Sequence, residues 1–182
     1  EGAPDLGELS RVDPGFDPRH VLTLRLHLAG DTYRPEAKRT AFFEQLLSQV
    51  QALPGVEAAA TVFPLPFSPA ILNRPFTLPG QPVDPQNPLA AQFNVVSPDY
   101  FRALGIRLTQ GRAFTERDRE GAPLVAIVNE STARRIWPGE NPIGKRISTG
   151  MGRPAEREVV GVFADIRQRQ LDGDPRLQIC VP

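Results

Sequence analysis

Leucine occupies positions 22, 24, 26 and 28, with Val21, Thr23, Arg25 and His27 between them. Period two is the mark of a β-strand that lays one face on a core. The pattern therefore predicts a strand over residues 21–28, with the four leucines buried and Gly30 and Asp31 ending it. Downstream the period lengthens. Phe42, Leu46 and Val50 form one row spaced by four, Phe43 and Leu47 a second, and Leu53 extends the same face. This spacing predicts a helix over residues 35–53, with Pro35 in its first turn and Pro54-Gly55 stopping it. A second strand is expected over residues 56–63. Strand, helix and strand in this order make a βαβ unit, with residues 21–28 and 56–63 parallel neighbours joined by a right-handed crossover.

The stretch from Pro64 to Pro88 is dense in proline. It leaves room for a short strand near residues 74–78 and marks a subdomain boundary. Beyond it, Ala91, Phe93 and Val95 alternate with Ala90, Gln92 and Asn94, again a strand. Residues 98–104 read as a short helix with Ser97 as N-cap and Gly105 as its stop. Residues 124–128 are a continuous apolar run, read as a buried strand. Asn129 is placed to cap a helix over residues 130–137, ended by Pro138-Gly139. Strands are expected over residues 143–148 and 158–164, joined by a hairpin loop at 150–154. The apolar residues 179–181 read as a further strand.

Composition narrows the field. Of the 182 residues, 40% are hydrophobic and 23% charged, enough for a packed core. Lys+Arg and Asp+Glu are 21 each, and the net charge is zero. Nucleic-acid binders draw their affinity from a basic excess, so no such partner is expected. The single cysteine, Cys180, excludes an internal disulfide. No apolar run reaches the length of a membrane span. The polar start, without an initiator Met or a signal peptide, reads as a piece of a longer protein.

Candidate chemistry is sparse. Gly139-Glu-Asn-Pro-Ile-Gly144-Lys145-Arg146 matches a phosphate loop up to its last position, where Arg146 stands in place of the Ser or Thr that would ligate magnesium. It also follows a helix and precedes a strand, the reverse of the order such a loop needs, and it reads as a turn. His20 and His27 lie seven apart without metal-ligand spacing. Cys180 has no evident base beside it, and no serine lies in a nucleophile elbow. The acidic pairs Glu116/Asp118 and Asp172/Asp174 read as solvated loops. Asn129-Glu130-Ser131 satisfies the glycosylation triplet, but helix capping accounts for Asn129 better. Catalytic, cofactor-binding and metal-binding residues are all expected to be absent.

Several segments taken together resemble a known family. They are Gly15-Phe16-Asp17-Pro18, Leu53-Pro54-Gly55-Val56, the run from Val96 to Ile106, Gly111-Arg112-Ala113-Phe114-Thr115-Glu116-Arg117-Asp118, the run from Val125 to Glu130, the run from Trp137 to Lys145, and Val159-Val160-Gly161-Val162. Their order and spacing resemble the MacB-like periplasmic core domain of FtsX/MacB-type ABC transporter permeases, in the style of the duplicated orphan permeases. The resemblance implies an α+β fold: a βαβ porter-type subdomain with an inserted β-rich subdomain carrying short helices. On that division residues 1–20 lead in from a transmembrane helix, 21–75 open the porter-type part, 76–158 are the insertion, and 159–182 return to the porter-type part.

The function implied is that of an extracytoplasmic domain of a permease in the inner membrane. It would couple conformational change to export or envelope signalling, without catalysis or cofactor. Its partners would be the transmembrane helices of the same protein, a separate ABC ATPase subunit, and a permease dimer or periplasmic adaptor. The competing reading is a free-standing extracytoplasmic protein that binds a small ligand or lipid.

Overall fold

A computed structural model describes residues 15, 17, 19–28, 31–33, 35–66, 68, 71–119, 121–150, 154–166 and 176–182. A 3₁₀ turn at Asp31–Tyr33 precedes helix α1, Glu36–Gln51. Strands β1 (Val62–Phe63), β2 (Asn73–Pro75) and β3 (Ala90–Val96) follow, then α2 (Tyr100–Ala103) and β4 (Leu108–Gly111). Strand β5 (Val125–Asn129) runs directly into α3 (Glu130–Ile136). Strands β6 (Arg146–Gly150), β7 (Pro154–Phe163) and β8 (Gln178–Val181) complete the chain. The class is α+β with a mixed sheet.

The strands form one sheet in the order β1-β3-β8-β5-β7-β4, with β2 also paired to β3 and β6 to β7. Strands β3 and β8 are parallel, as are β5 and β7; the other pairs are antiparallel. Thr77, just after β2, exchanges backbone hydrogen bonds of 2.9 and 2.8 Å with Ser148 of β6. This bridge ties the β2 side of the sheet to the β6 side, so the sheet curls back on itself.

Both faces of the sheet are covered at β5, which is why Val125–Val128 is a continuous apolar run rather than alternating. Ala126 and Val128 join one cluster with Phe93, Ile147, Val159 and Ile179, closed by Ala133 and Trp137 at α3. Val125 and Ile127 face the other, with Tyr100 and Phe101 of α2, Phe114, Phe163 and Cys180. Gly111 and Gly161 face each other where β4 crosses β7. A Cβ on Gly111 would stand 2.2 Å from the Val160 carbonyl oxygen, and one on Gly161 would stand 2.4 Å from that of Arg112. Only glycine permits this approach.

Several expectations hold. The helix over 35–53 forms as α1, the run 124–128 becomes buried β5 from Val125 onward while Leu124 is exposed, and β6 and β7 pair as a hairpin whose residues 151–153 lie outside the described set. Gly105 takes a positive φ of 62° just past α2, as a stop residue should.

Others are overturned. Residues 21–28 form no strand, and Leu22, Leu24 and Leu26 are exposed at 85%, 79% and 48%. A period-two pattern buries a face only when a neighbouring strand supplies backbone partners, and none of the described residues pairs with this segment. Of residues 56–63 only β1 is a strand, and it runs antiparallel to β3. The parallel βαβ unit is therefore not formed. The face expected of α1 is the right one, but Phe42, Phe43, Leu46, Leu47 and Val50 are only half-buried, and no α1 residue is fully buried. The helix packs on the 3₁₀ turn, with Tyr33 and Phe42 ring centroids 5.4 Å apart, rather than on the sheet.

In β3 the alternation fails because the strand lies inside the sheet. Gln92 and Asn94 are buried, the latter donating to the Pro64 carbonyl at 3.0 Å, while Val95 is exposed. Ser97 does not cap α2; its Oγ accepts the Thr61 N–H at 2.9 Å. Strand β4 was not foreseen. The sheet also takes in residues on both sides of the boundaries expected at 75/76 and 158/159. Strand β2 ends at Pro75 on β3, β7 runs unbroken through 158–159, and β8 lies between β3 and β5.

Candidate functional site

The Gly139–Arg146 segment is the turn between α3 and β6, and much of its backbone is hydrogen-bonded within the protein. The N–H groups of Glu140, Gly144 and Lys145 bond to the carbonyls of Trp137, Val159 and Pro142 at 2.8 to 3.1 Å. The Ile143 N–H donates to Asn141 Oδ1 at 3.0 Å. The Lys145 ammonium pairs with Glu140, and Arg146 with Glu156 at 3.1 Å. A phosphate cradle needs convergent free N–H groups, and these are committed elsewhere.

The remaining candidates are not brought together. His20 and His27 are exposed, and among the described residues no group of His, Cys, Asp or Glu could hold a metal ion. Cys180 is buried in β8, and burial pushes its pKa up, so the thiol stays protonated and unreactive. The Tyr100 hydroxyl is buried without a hydrogen-bond partner; burial first, and then the Cys180 sulfur, push its pKa up. Asp172 and Asp174 lie outside the described residues.

Asp118 is not a solvated loop residue. Arg112 donates to both its oxygens at 2.7 and 2.9 Å, and the Thr115 N–H and hydroxyl donate at 2.8 and 3.1 Å. The Arg112 hydrogen bond, against some desolvation, lowers its pKa to about 2. Its expected companion Glu116 is exposed.

The densest polar arrangement surrounds Asn129, where β5 becomes α3. Asn129 Oδ1 accepts from the Thr132 N–H at 3.1 Å and its hydroxyl at 2.6 Å, and from the Gln178 N–H at 3.0 Å. Its amide donates to Asp165 Oδ1 at 2.7 Å and to the Arg176 carbonyl at 2.8 Å. Asp165 also accepts from the Ser131 N–H and hydroxyl and from Arg134, at 2.8 to 2.9 Å. The Gln178 amide donates to the Ile166 carbonyl at 2.8 Å. Asn129 is the N-cap foreseen from sequence, and it is fully buried, so the glycosylation triplet offers no accessible amide. Asp165 and Gln178 were not foreseen, because no spacing in the chain announces their approach to Asn129. The groups satisfy one another and stitch β5, α3, β8 and the segment after β7 together.

A second polar contact lies at the junction of α1 with the sheet body. Gln51 Nε2, in the last residue of α1, donates to Asp99 Oδ2 at 2.9 Å and to the Ala59 carbonyl at 3.3 Å. Asp99 also holds Arg102 through two bonds of 3.2 and 2.9 Å. Among the described residues the polar groups around Asn129 form a buried knot, Gln51 and Asp99 meet in an exposed contact, and the apolar face of α1 is half-covered.

The model of the MacB-like periplasmic core domain matches residues 7–182. This chain belongs to that family. The MacB-like domain is 36% identical over 80 residues to the macrolide export ATP-binding/permease protein MacB of Aggregatibacter actinomycetemcomitans, a match covering 44% of this chain and 12% of that protein. It is 33% identical over 85 residues to the probable syringafactin export ATP-binding/permease protein SyfD of Pseudomonas syringae pv. tomato, covering 46% and 12%. The fold is similar to the crystal structure of the periplasmic region of MacB from Actinobacillus actinomycetemcomitans, with a TM-score of 0.53 and 18% identity over 76% of this chain and 54% of that one. The MacB-like domain thus matches about an eighth of the length of these curated relatives and about half of the solved region. Among the described residues no helix is long and apolar enough to cross a membrane.

Proposed function

We propose that this MacB-like periplasmic core domain is the extracytoplasmic part of an ABC transporter permease in the inner (plasma) membrane, and that it couples conformational change to export or envelope signalling without catalysis of its own. The observation that carries this reading is the family match across residues 7–182. The hydrogen-bonded donors of the 139–146 turn and the separated histidines add support, since neither of these features is poised for chemistry. ATP hydrolysis then belongs to a separate ATPase subunit on the other side of the membrane, and only displacement of packed elements can connect the two. The other partners are the transmembrane helices of the same protein, and a permease dimer or periplasmic adaptor.

In this reading α1 and the leucines of 21–28 belong to a porter-type subdomain completed by segments other than these 182 residues. The half-covered α1 face and the exposed Leu22 and Leu24 are what such an incomplete part would present. The test is a reducible cross-link in the full-length permease between cysteines engineered at Ser48 on α1 and Arg102 on α2. Transport-coupled ATPase activity should fall to background with the link closed and recover when it is reduced. Full activity with the link closed would overturn the reading.

A further inference from the structure

We propose that α1 is an arm latched to the sheet body, among the described residues, through the side-chain contact of Gln51 with Asp99, and that it swings about residues 52–61 when the latch opens. The use of this joint rests on the permease reading above; its existence does not.

The two ends of the latch sit on parts of different rigidity. Asp99 immediately precedes α2, whose Tyr100 and Phe101 are buried in the core, and Arg102 fixes its carboxylate through two hydrogen bonds. That end moves with the sheet. Gln51 is the last residue of α1, a helix with no fully buried residue that packs mainly on the 3₁₀ turn. That end moves with the arm. The same Gln51 amide also reaches the Ala59 carbonyl, so it closes the loop of chain returning from arm to body.

Among the described residues, the connections on either side of the arm are exposed along 22–27 and 52–55. The return connection carries Gly55 at φ 82°, with nothing within 4 Å of where a Cβ would stand, and Leu53 is exposed. It becomes part of the body at Thr61, whose N–H and carbonyl bond to Ser97 Oγ and N–H at 2.9 and 3.0 Å. On the entry side, the Asp17 N–H bonds to the Leu104 carbonyl and Val21 packs on the core, while Leu22 and Leu24 are already exposed. Val21, Ala60 and Val62 pack against the same apolar cluster, so both connections start from one region of the body. An arm with little buried area and a solvent-exposed latch sits at the low-stability end of the molecule, where a modest load shifts its position.

The experiment places spin labels at Glu44 on α1 and Arg107 ahead of β4 in the full-length protein in lipid nanodiscs, and reads the distance distribution by pulsed electron resonance. Gln51→Ala removes the donor, Gln51→Asn shortens its reach while keeping the amide, and Gln51→Glu sets a second carboxylate against Asp99. All three should broaden the distribution or move it to longer distance, Gln51→Glu most, while Gln49→Ala matches wild type. Distributions for the three Gln51 variants that superimpose on wild type would overturn the latch. A separate arm adds ATP and the ATPase subunit to the wild-type protein. A shift toward the Gln51→Glu distribution supports use of the joint in coupling. No shift, with the variants still broadened, overturns the coupling reading and leaves the latch standing.

Discussion

Asp118 shows how a residue in an exposed-looking loop becomes structural. Its pKa falls from 3.8 to about 2, because the charged form accepts from Arg112 and Thr115. The folded value lies below the unfolded one, so the stabilisation is present in full above roughly pH 4 and is lost as pH falls through about 2. Its size is about 1–2 kcal/mol once the solvent exposure of Arg112 is discounted. Asp118→Asn should therefore lower the unfolding free energy by that amount at pH 7 and by almost nothing at pH 2, measured by denaturant titration at each pH. Asn129 is the more demanding case, since its side chain makes five hydrogen bonds in the interior. Asn129→Ala deprives the buried Thr132 N–H of its acceptor, leaves the Gln178 N–H only the Thr132 hydroxyl at 3.0 Å, and should cost about 2–4 kcal/mol. A loss below that of an ordinary surface substitution would show that water replaces the amide.

Among the elements, α1 and β5 lie at opposite ends of one scale. Every residue of β5 is buried, with cover on both faces. Ile127→Ala should cost about 2–5 kcal/mol, the range for a close-packed interior position. The apolar face of α1 is correctly spaced but half-covered, so Leu46→Ser in this chain should cost under about 1 kcal/mol. The comparison is read from urea midpoints of the two variants. Equal losses would mean that α1 has full cover and that the arm is not loosely held.

For the whole molecule, the layout separates a closed, double-faced sheet from a peripheral arm. The sheet is tied across its curl by the Thr77–Ser148 bridge and at its centre by the Asn129–Asp165 knot. At the 139–146 turn the N–H groups of Glu140, Ile143, Gly144 and Lys145 are already bonded within the protein. Isothermal calorimetry with ATP should show no binding at micromolar strength, and Lys145→Ala should change nothing. Binding at that strength, lost in Lys145→Ala, would establish a nucleotide site at the 139–146 turn.

What the sequence determined by itself was local. The four-spaced rows of α1, the apolar run of β5, the cap at Asn129 and the stop at Gly105 depend on neighbours a few residues away, and each appears where the pattern places it. The absence of phosphate-loop context was legible for the same reason, since the helix and strand flanking residues 139–146 are in the wrong order. Burial and pairing were decided only by the tertiary structure. The leucines of 21–28 carry a perfect period of two, yet Leu22, Leu24 and Leu26 are exposed, because a strand exists only where another strand meets its backbone. Val95 and Asn94 exchange their expected environments because the cover on each face of β3 comes from distant parts of the chain. Asp165, Gln178 and the Gln51–Asp99 contact join residues 36 to 49 positions apart. No periodicity encodes such meetings; they follow from how the sheet curls and where it leaves the arm.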